Sequence, residues 1–314
     1  MFFKRKDFIS LKDISAEEIL YILNTAETMK IVLGQTNKKA PHLRGKSVIM
    51  LFYEKSTRAR MSYELAAQYL SANVVDMTLP YSFDQAGSLA DMGNLIDQMG
   101  ADFIILRHPM SGSARLLAEH AHSSVINAGD GLNENPSQSM LDLMTIKIQK
   151  GGFEGLKVAI VGDIAHSRVT RSNIWALLKL GTEVTLAGPP TLIPDEWSWF
   201  GPKITYDTAD AVRDADVIMV VKLHKANVYG KFIPSENEYK NLFKIDEQIL
   251  KMAKPDAIVM HPGPIRRGIE LSSQVIDSHQ CLTNDQIANG VAVRMALLYL
   301  LSMSEAGAQK QQEA

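Results

Sequence analysis

Several polar clusters stand directly after apolar runs, where a folded chain can present them to a ligand. Ser56-Thr57-Arg58-Ala59-Arg60 follows the run 46–53 and opens a helical pattern. Backbone N–H groups at a helix start suit a phosphate or carboxylate. The Ser56 and Thr57 hydroxyls can cap the helix or donate to the anion, and Arg58 offers a planar fork for bidentate contact. The same residues also read as an ordinary cap with solvated arginines. They are not a P-loop, because the glycine run and its lysine are missing. Arg107-His108-Pro109 ends a second apolar run, and Pro136-Ser137-Gln138 opens another helix after a Gly-rich loop. Gln138 can orient a neutral amide through both a donor and an acceptor, or simply complete a turn and cap.

Further along, Gly162-Asp163-Ile164-Ala165-His166-Ser167-Arg168 follows an apolar run but lacks the G-x-G-x-x-G spacing of a dinucleotide turn. Arg168 and Arg171 suit a carboxylate instead. His261-Pro262-Gly263-Pro264 makes a rigid turn able to aim backbone carbonyls at an amine, with His261 read as a buried, hydrogen-bonded histidine. The eight histidines form no H-E-x-x-H pattern, and the single cysteine, Cys281, excludes an intrachain disulfide and an all-cysteine metal cage. Arginines and helix starts of this kind suit a substrate carrying phosphate and carboxylate. Catalysis would then rest on alignment and charge stabilisation rather than a covalent nucleophile.

Positioning these clusters falls to alternating strands and helices. Apolar runs predict strands over 46–53, 74–77, 101–106, 124–127, 157–161, 183–187, 215–221 and 257–260. Helical spacing predicts helices over 58–70, 89–99, 136–149, 171–180, 209–213 and 284–301, and the first 45 residues read as helical, with Ser15 and Glu18 as a capping box. Residues 81–87 read as a polar loop. This alternation predicts an α/β fold of two Rossmann-like αβα domains with parallel sheets. The 314 residues carry a formal charge of −2, with 46% hydrophobic and 22% charged residues. That mix places the chain outside the disordered class and argues against a nucleic-acid partner. No apolar run reaches the ~18–20 residues of a membrane span, and the N-terminus does not read as a secretory signal, so a cytoplasmic location is expected.

As a set, these motifs resemble the aspartate/ornithine carbamoyltransferase family. The matching pieces are Ser56-Thr57-Arg58-Ala59-Arg60, Arg107-His108-Pro109, Asn127-Ala128-Gly129-Asp130-Gly131, Pro136-Ser137-Gln138 and Leu141-Asp142-Leu143. They continue with Gly162-Asp163, Ser167-Arg168-Val169, His261-Pro262-Gly263-Pro264, Arg267-Gly268 and Asn289-Gly290-Val291-Ala292-Val293-Arg294-Met295-Ala296. They run in family order through nearly the whole chain. The turn reads HPGP rather than the cysteine-bearing HCLP, which favours the aspartate branch.

The resemblance implies transfer of a carbamoyl group from carbamoyl phosphate to the amine of L-aspartate, in pyrimidine synthesis, with no cofactor and no metal. It implies a homotrimer with shared active sites; regulatory chains are not indicated. It assigns residues 1–133 plus 285–304 to a carbamoyl phosphate-binding domain, 134–284 to an amino-acid-binding domain, and 305–314 to a flexible tail, the last helix returning to the first domain. Carried over by position, Ser56, Thr57 and Arg58 hold phosphate, Arg107 contacts the carbonyl and phosphate oxygens, and Gln138 binds the carbamoyl amide. Arg168 binds a carboxylate of aspartate, and the Pro264 backbone carbonyl, with Ile265 beside it, lies near the attacking amine.

Several positions depart from the family pattern. Ala59 replaces a threonine. Asn135 stands where a histidine donates to the carbamoyl oxygen, and its amide donates but cannot become cationic. Gln85 replaces the lysine of a loop lent by the neighbouring subunit; Tyr81 replaces that loop's serine, with Ser82 beside it. Lys222 and His224 replace an arginine and a glutamine on the acceptor side, and Lys222 loses the bidentate fork. Three readings compete: an aspartate carbamoyltransferase, a carbamoyltransferase for a different amino acid, and a weakened or inactive paralogue acting as a binding or structural protein.

Overall fold

The computed structural model describes residues 3–78, 88–223 and 232–312. It divides into two compact units, residues 1–144 with 288–314, and residues 145–287.

In the first unit the helical reading of the N-terminal stretch holds only for α1 (Ala16–Leu33), which starts at the Ser15/Glu18 capping box. Before it, Phe8 bridges in parallel to Ile126, because an apolar residue among charged neighbours pairs with the sheet rather than coiling. Next come β1 (Ser47–Phe52), α2 (Thr57–Tyr69), β2 (Asn73–Thr78), α3 (Leu89–Gln98), β3 (Phe103–His108), α4 (Ser113–His120), β4 (Ser124–Asp130) and α5 (Pro136–Lys150). The strand order is β2-β1-β3-β4, with every pairing parallel. Ile104, Ile105 and Leu106 of β3 are all fully buried, which is why the strand reads as an unbroken apolar run rather than an alternation.

The second unit contains β5 (Lys157–Val161), α6 (Arg168–Lys179), β6 (Glu183–Ala187), β7 (Lys203–Thr205), α7 (Thr208–Val212) and β8 (Val217–Val220). It continues with α8 (Glu236–Phe243), α9 (Glu247–Leu250), β9 (Ile258–Met260) and α10 (Ser273–Ile276). Its parallel sheet has the order β7-β6-β5-β8-β9.

The last helix, α11 (Thr283–Gln312), runs past the end expected near residue 301, because Glu, Ala, Gln and Lys continue a helix readily. Its stretch Thr283–Ser304 is long and apolar enough to cross a membrane, although no unbroken apolar run announces it; 61% of that stretch's apolar window is buried inside the structure, as in a core helix. Within the first unit α11 packs on α2 through Arg294 and Ser62, and Tyr299 meets His42 at 4.8 Å between ring centroids.

Both sheets have a topological switch point. In the first, the chain leaves β1 toward β2 on one side and β3 lies on the other; in the second, β5 lies between β6 and β8. In open parallel sheets the crevice at such a point, beyond the carboxyl ends of the strands, is where ligands bind. The first switch point presents the segments after Phe52 and at Arg107. The second presents those after Val161 and Val220.

Candidate active site

In the first unit the candidate site residues begin at the start of α2. Ser56 is the cap residue by backbone geometry (φ −152°, ψ 82°), yet its side chain makes no capping hydrogen bond. Its carbonyl accepts from Arg60 N at 3.0 Å. The first turn carries no acidic residue, so no carboxylate competes for the helix N–H groups. Ser56 is half-buried, while Thr57 and Arg58 are exposed.

Arg107, on β3, is oriented by two contacts. Its Nη1 donates to the Ala128 carbonyl at 3.0 Å, and its Nε lies 3.2 Å from Glu54 Oε2. Its guanidinium is thereby tied to the ends of β1 and β4. The next residue, His108, accepts from Met110 N at Nδ1 (3.0 Å) and meets Tyr53 edge to face at 4.8 Å.

The loop after β4 hangs on Asp130, which is 1% exposed. Asp130 accepts from Asn127 Nδ2 at 2.8 Å, Gly112 N at 2.8 Å and Glu134 N at 3.2 Å. Gly131 sits at φ +50°, where a Cβ would meet Ser111 N at 2.4 Å, so the turn admits only glycine. The motif Asn127-Ala128-Gly129-Asp130-Gly131 thus anchors the residues that open α5. Asn135 is almost buried, its carbonyl accepting from Gln138 N and Ser139 N at 3.1 and 3.2 Å to start that helix. Gln138 donates from Nε2 to Asp142 Oδ1 at 3.1 Å. Ser56, Thr57, Arg58, Arg107, Asn135 and Gln138 all follow or end strands of one parallel sheet, at its carboxyl edge.

In the second unit Gly162 closes β5 at φ +134°; a Cβ there would meet Val221 and the Tyr239 hydroxyl at 2.8 and 3.1 Å. Asp163, fully buried, lies 2.7 Å from His166 Nδ1. Ser167 caps α6 by accepting from Thr170 N at 3.1 Å, and Arg168 is the first helical residue, half-buried. Lys222, also half-buried, follows β8.

Glu270 ties these loops together from beneath. It is fully buried, accepting at Oε1 from Leu223 N (3.0 Å) and at Oε2 from Arg266 N (2.8 Å), with His261 Nε2 at 3.3 Å. His261 is buried and accepts from Gly263 N at Nδ1 (2.8 Å), which holds its turn. Pro264 is exposed at the end of that turn, and Ile265 packs on the core. Burial, together with the negative charges of Glu270 and Asp163, pushes the Tyr239 phenol well above the ordinary tyrosine range.

Ser82, Gln85 and His224 lie outside the described residues, as does the 81–87 loop. Among the described residues no group of three or more His, Cys, Asp or Glu could hold a metal ion. Sequence reasoning missed Glu54, Glu270 and the role of Asp142. The available signal was a charged residue at a position whose neighbours are apolar, as in Leu141-Asp142-Leu143 and Ile269-Glu270-Leu271.

Comparison with known families places both halves. Residues 6–148 match the profile described as aspartate/ornithine carbamoyltransferase, carbamoyl-P binding domain, and residues 154–301 match its Asp/Orn binding domain. The chain belongs to the aspartate/ornithine carbamoyltransferase family. It is 54% identical to the aspartate carbamoyltransferase catalytic subunit of Acetivibrio thermocellus, over 98% of this chain and 99% of that protein. The Moorella thermoacetica subunit of the same name is 50% identical, over 95% and 97%. Solved structures of both branches share the fold equally well. The catalytic subunit of M. jannaschii aspartate transcarbamoylase gives a TM-score of 0.84 at 35% identity, covering 95% of this chain and 98% of that one. Ornithine carbamoyltransferase from Pyrococcus furiosus gives 0.84 at 31%, covering 94% and 96%. The fold therefore identifies a carbamoyltransferase, and the choice of acceptor rests on sequence.

Proposed function

We propose that this enzyme is an aspartate carbamoyltransferase catalytic subunit, transferring the carbamoyl group of carbamoyl phosphate to the amine of L-aspartate. The observation that carries this reading is the 54% identity, across nearly the full length of both chains, to a subunit bearing that name. A related aspartate transcarbamoylase, from Trypanosoma cruzi, is known in complex with carbamoyl phosphate and aspartate; it is 26% identical, covers 94% of this chain and 97% of its own, and gives a TM-score of 0.83.

In this reading Ser56, Thr57, Arg58 and Arg107 hold the phosphate, and Asn135 donates to the carbamoyl oxygen while Gln138 holds its amide. Arg168 and Lys222 take the carboxylates of aspartate, with His224, Pro264 and Ile265 completing the acceptor side. The amine nitrogen bonds to the carbamoyl carbon, the C–O bond to phosphate breaks, and phosphate departs with the electron pair. The amine proton leaves with phosphate or solvent. The protein's part is to align the two substrates and neutralise developing negative charge. The enzyme is proposed to act in the cytoplasm as a homotrimer, each subunit receiving the loop with Ser82 and Gln85 from its neighbour.

Lys222 and His224 favour a second reading, a carbamoyltransferase for another amino acid, because a lysine holds a carboxylate as a point charge and not as a fork. The test is carbamoyl transfer by the purified protein across a panel of amino-acid acceptors. Turnover with aspartate is the expected result. Turnover with another amino acid and none with aspartate establishes the second reading, and binding of carbamoyl phosphate without turnover on any acceptor overturns both.

A further inference from the structure

The amide of Gln138 is turned one way. Its Nε2 donates to Asp142 Oδ1, and Asp142, one helical turn further along α5, is 1% exposed. A carboxylate only accepts hydrogen bonds, so it takes the amide nitrogen and leaves the amide oxygen facing elsewhere. Among the described residues the Gln138 amide oxygen receives no hydrogen bond. On an exposed helix such a pair four residues apart is weak. Here Asp142 is buried and Gln138 half-buried, and the bond decides which end of the amide points outward.

Asp142 also lies within the electrostatic reach of Arg294 on α11. The buried guanidinium of Arg294 attracts Asp142. Arg294 donates from Nη1 to Ser62 Oγ at 2.8 Å and to the Gly290 carbonyl at 3.0 Å, and it lies over the Tyr63 ring at 4.7 Å. Gly290 is part of this fit: a Cβ there would stand 2.7 Å from Arg294 Nη1.

We propose that Asp142 is a positioning residue that fixes Gln138 as a hydrogen-bond acceptor toward the transferred group, so that the site selects a carbamoyl NH2 over a methyl in the same place. This rests on the reading that Gln138 contacts the carbamoyl amide. It adds to that reading a reason for the amide's polarity.

The experiment compares carbamoyl phosphate with acetyl phosphate, which carries a methyl where the carbamoyl group carries NH2. The KM for the first and the inhibition constant of the second are measured on the purified full chain. In Asp142→Asn the acceptor-only carboxylate becomes an amide that can also donate, so the Gln138 amide is no longer held one way round. Losing one well-placed hydrogen bond then raises the KM for carbamoyl phosphate about tenfold while acetyl phosphate changes less than about twofold. Asp142→Leu removes the acceptor altogether and loses the same selectivity. Equal weakening of both ligands, or unchanged selectivity in a folded variant, overturns the proposal. Gln138→Ala separates the two layers. Unchanged selectivity in Gln138→Ala refutes the amide contact itself. Lost selectivity there, with Asp142→Asn unaffected, refutes only the role of Asp142.

Discussion

Glu270→Gln tests whether one buried carboxylate holds the acceptor side of the site in shape. Glu270 uses its two oxygens on two backbone N–H groups, Leu223 at 3.0 Å and Arg266 at 2.8 Å, in a position with no solvent exposure. Glutamine keeps one oxygen and sets an NH2 against the other N–H. One buried donor is then orphaned, at a cost of about 1–3 kcal/mol. With a urea dependence of about 1–3 kcal/mol per molar, the unfolding midpoint falls by about 1 M. Tryptophan fluorescence reads this directly, because Trp175, Trp197 and Trp199 all lie in the second unit.

The functional consequence is local. The orphaned groups belong to the loops carrying Lys222 and Pro264, so the KM for aspartate rises about tenfold as preorganisation is lost, and the KM for carbamoyl phosphate stays put. Glu236→Gln is the control. Glu236 pairs with the Arg266 side chain from a position 24% exposed, and such a pair contributes under about 1 kcal/mol. Equal midpoint shifts in the two variants, or an unchanged KM for aspartate in Glu270→Gln, would refute the claim that the carboxylate organises these loops.

Gln85→Lys restores a cation to the loop proposed to come from the neighbouring subunit; kcat is expected to rise about a hundredfold, the scale of one electrostatic group at a transferring centre, and an unchanged rate in a transfer assay would mean the loop does not reach the phosphate. His108 gives a pH dependence. Burial holds its imidazole below the ordinary value of 6.5, against the pull of Glu54 and Asp130. The unfolded chain therefore takes up the proton first, and stability present above 6.5 is lost as pH falls from there toward the lower folded value. Urea unfolding followed by circular dichroism should show this slope, and His108→Gln, which keeps an acceptor for Met110 N, should flatten it.

The legibility of each element in the sequence divides by physical cause. Strands buried on both faces are continuous apolar runs, so eight of the nine among the described residues could be located from composition alone. The ninth, β7, is an edge strand of three residues, Lys203, Ile204 and Thr205, whose pairing comes from β6 and not from its own pattern. The short helices α4, α8, α9 and α10 escaped for a related reason, since helices of four to eight residues carry few turns in which to display a period, although α7, of five residues, was found. Residues assigned to ligands were legible because they stand just beyond strands, where any side chain is exposed to a crevice. The residues that hold them were not: Glu270 meets Leu223 across 47 positions, and Arg294 meets Ser62 across 232.

That division bears on the substituted positions. Asn135, Lys222 and His224 are positions assigned to substrate, and each exchange alters what can be donated or paired there. Asp130, Asp142, Glu270 and Arg294, which hold the loops and helices in place, are buried groups whose loss leaves charges or N–H groups without partners, at several kcal/mol each. A chain can change its ligand-facing residues at small cost to folding, but not its anchors. The pocket proposed for carbamoyl phosphate, with Arg58, Arg107 and Gln138, should therefore bind its substrate whatever the acceptor. Altered chemistry would then appear as a change in acceptor preference or in kcat, with carbamoyl phosphate affinity preserved.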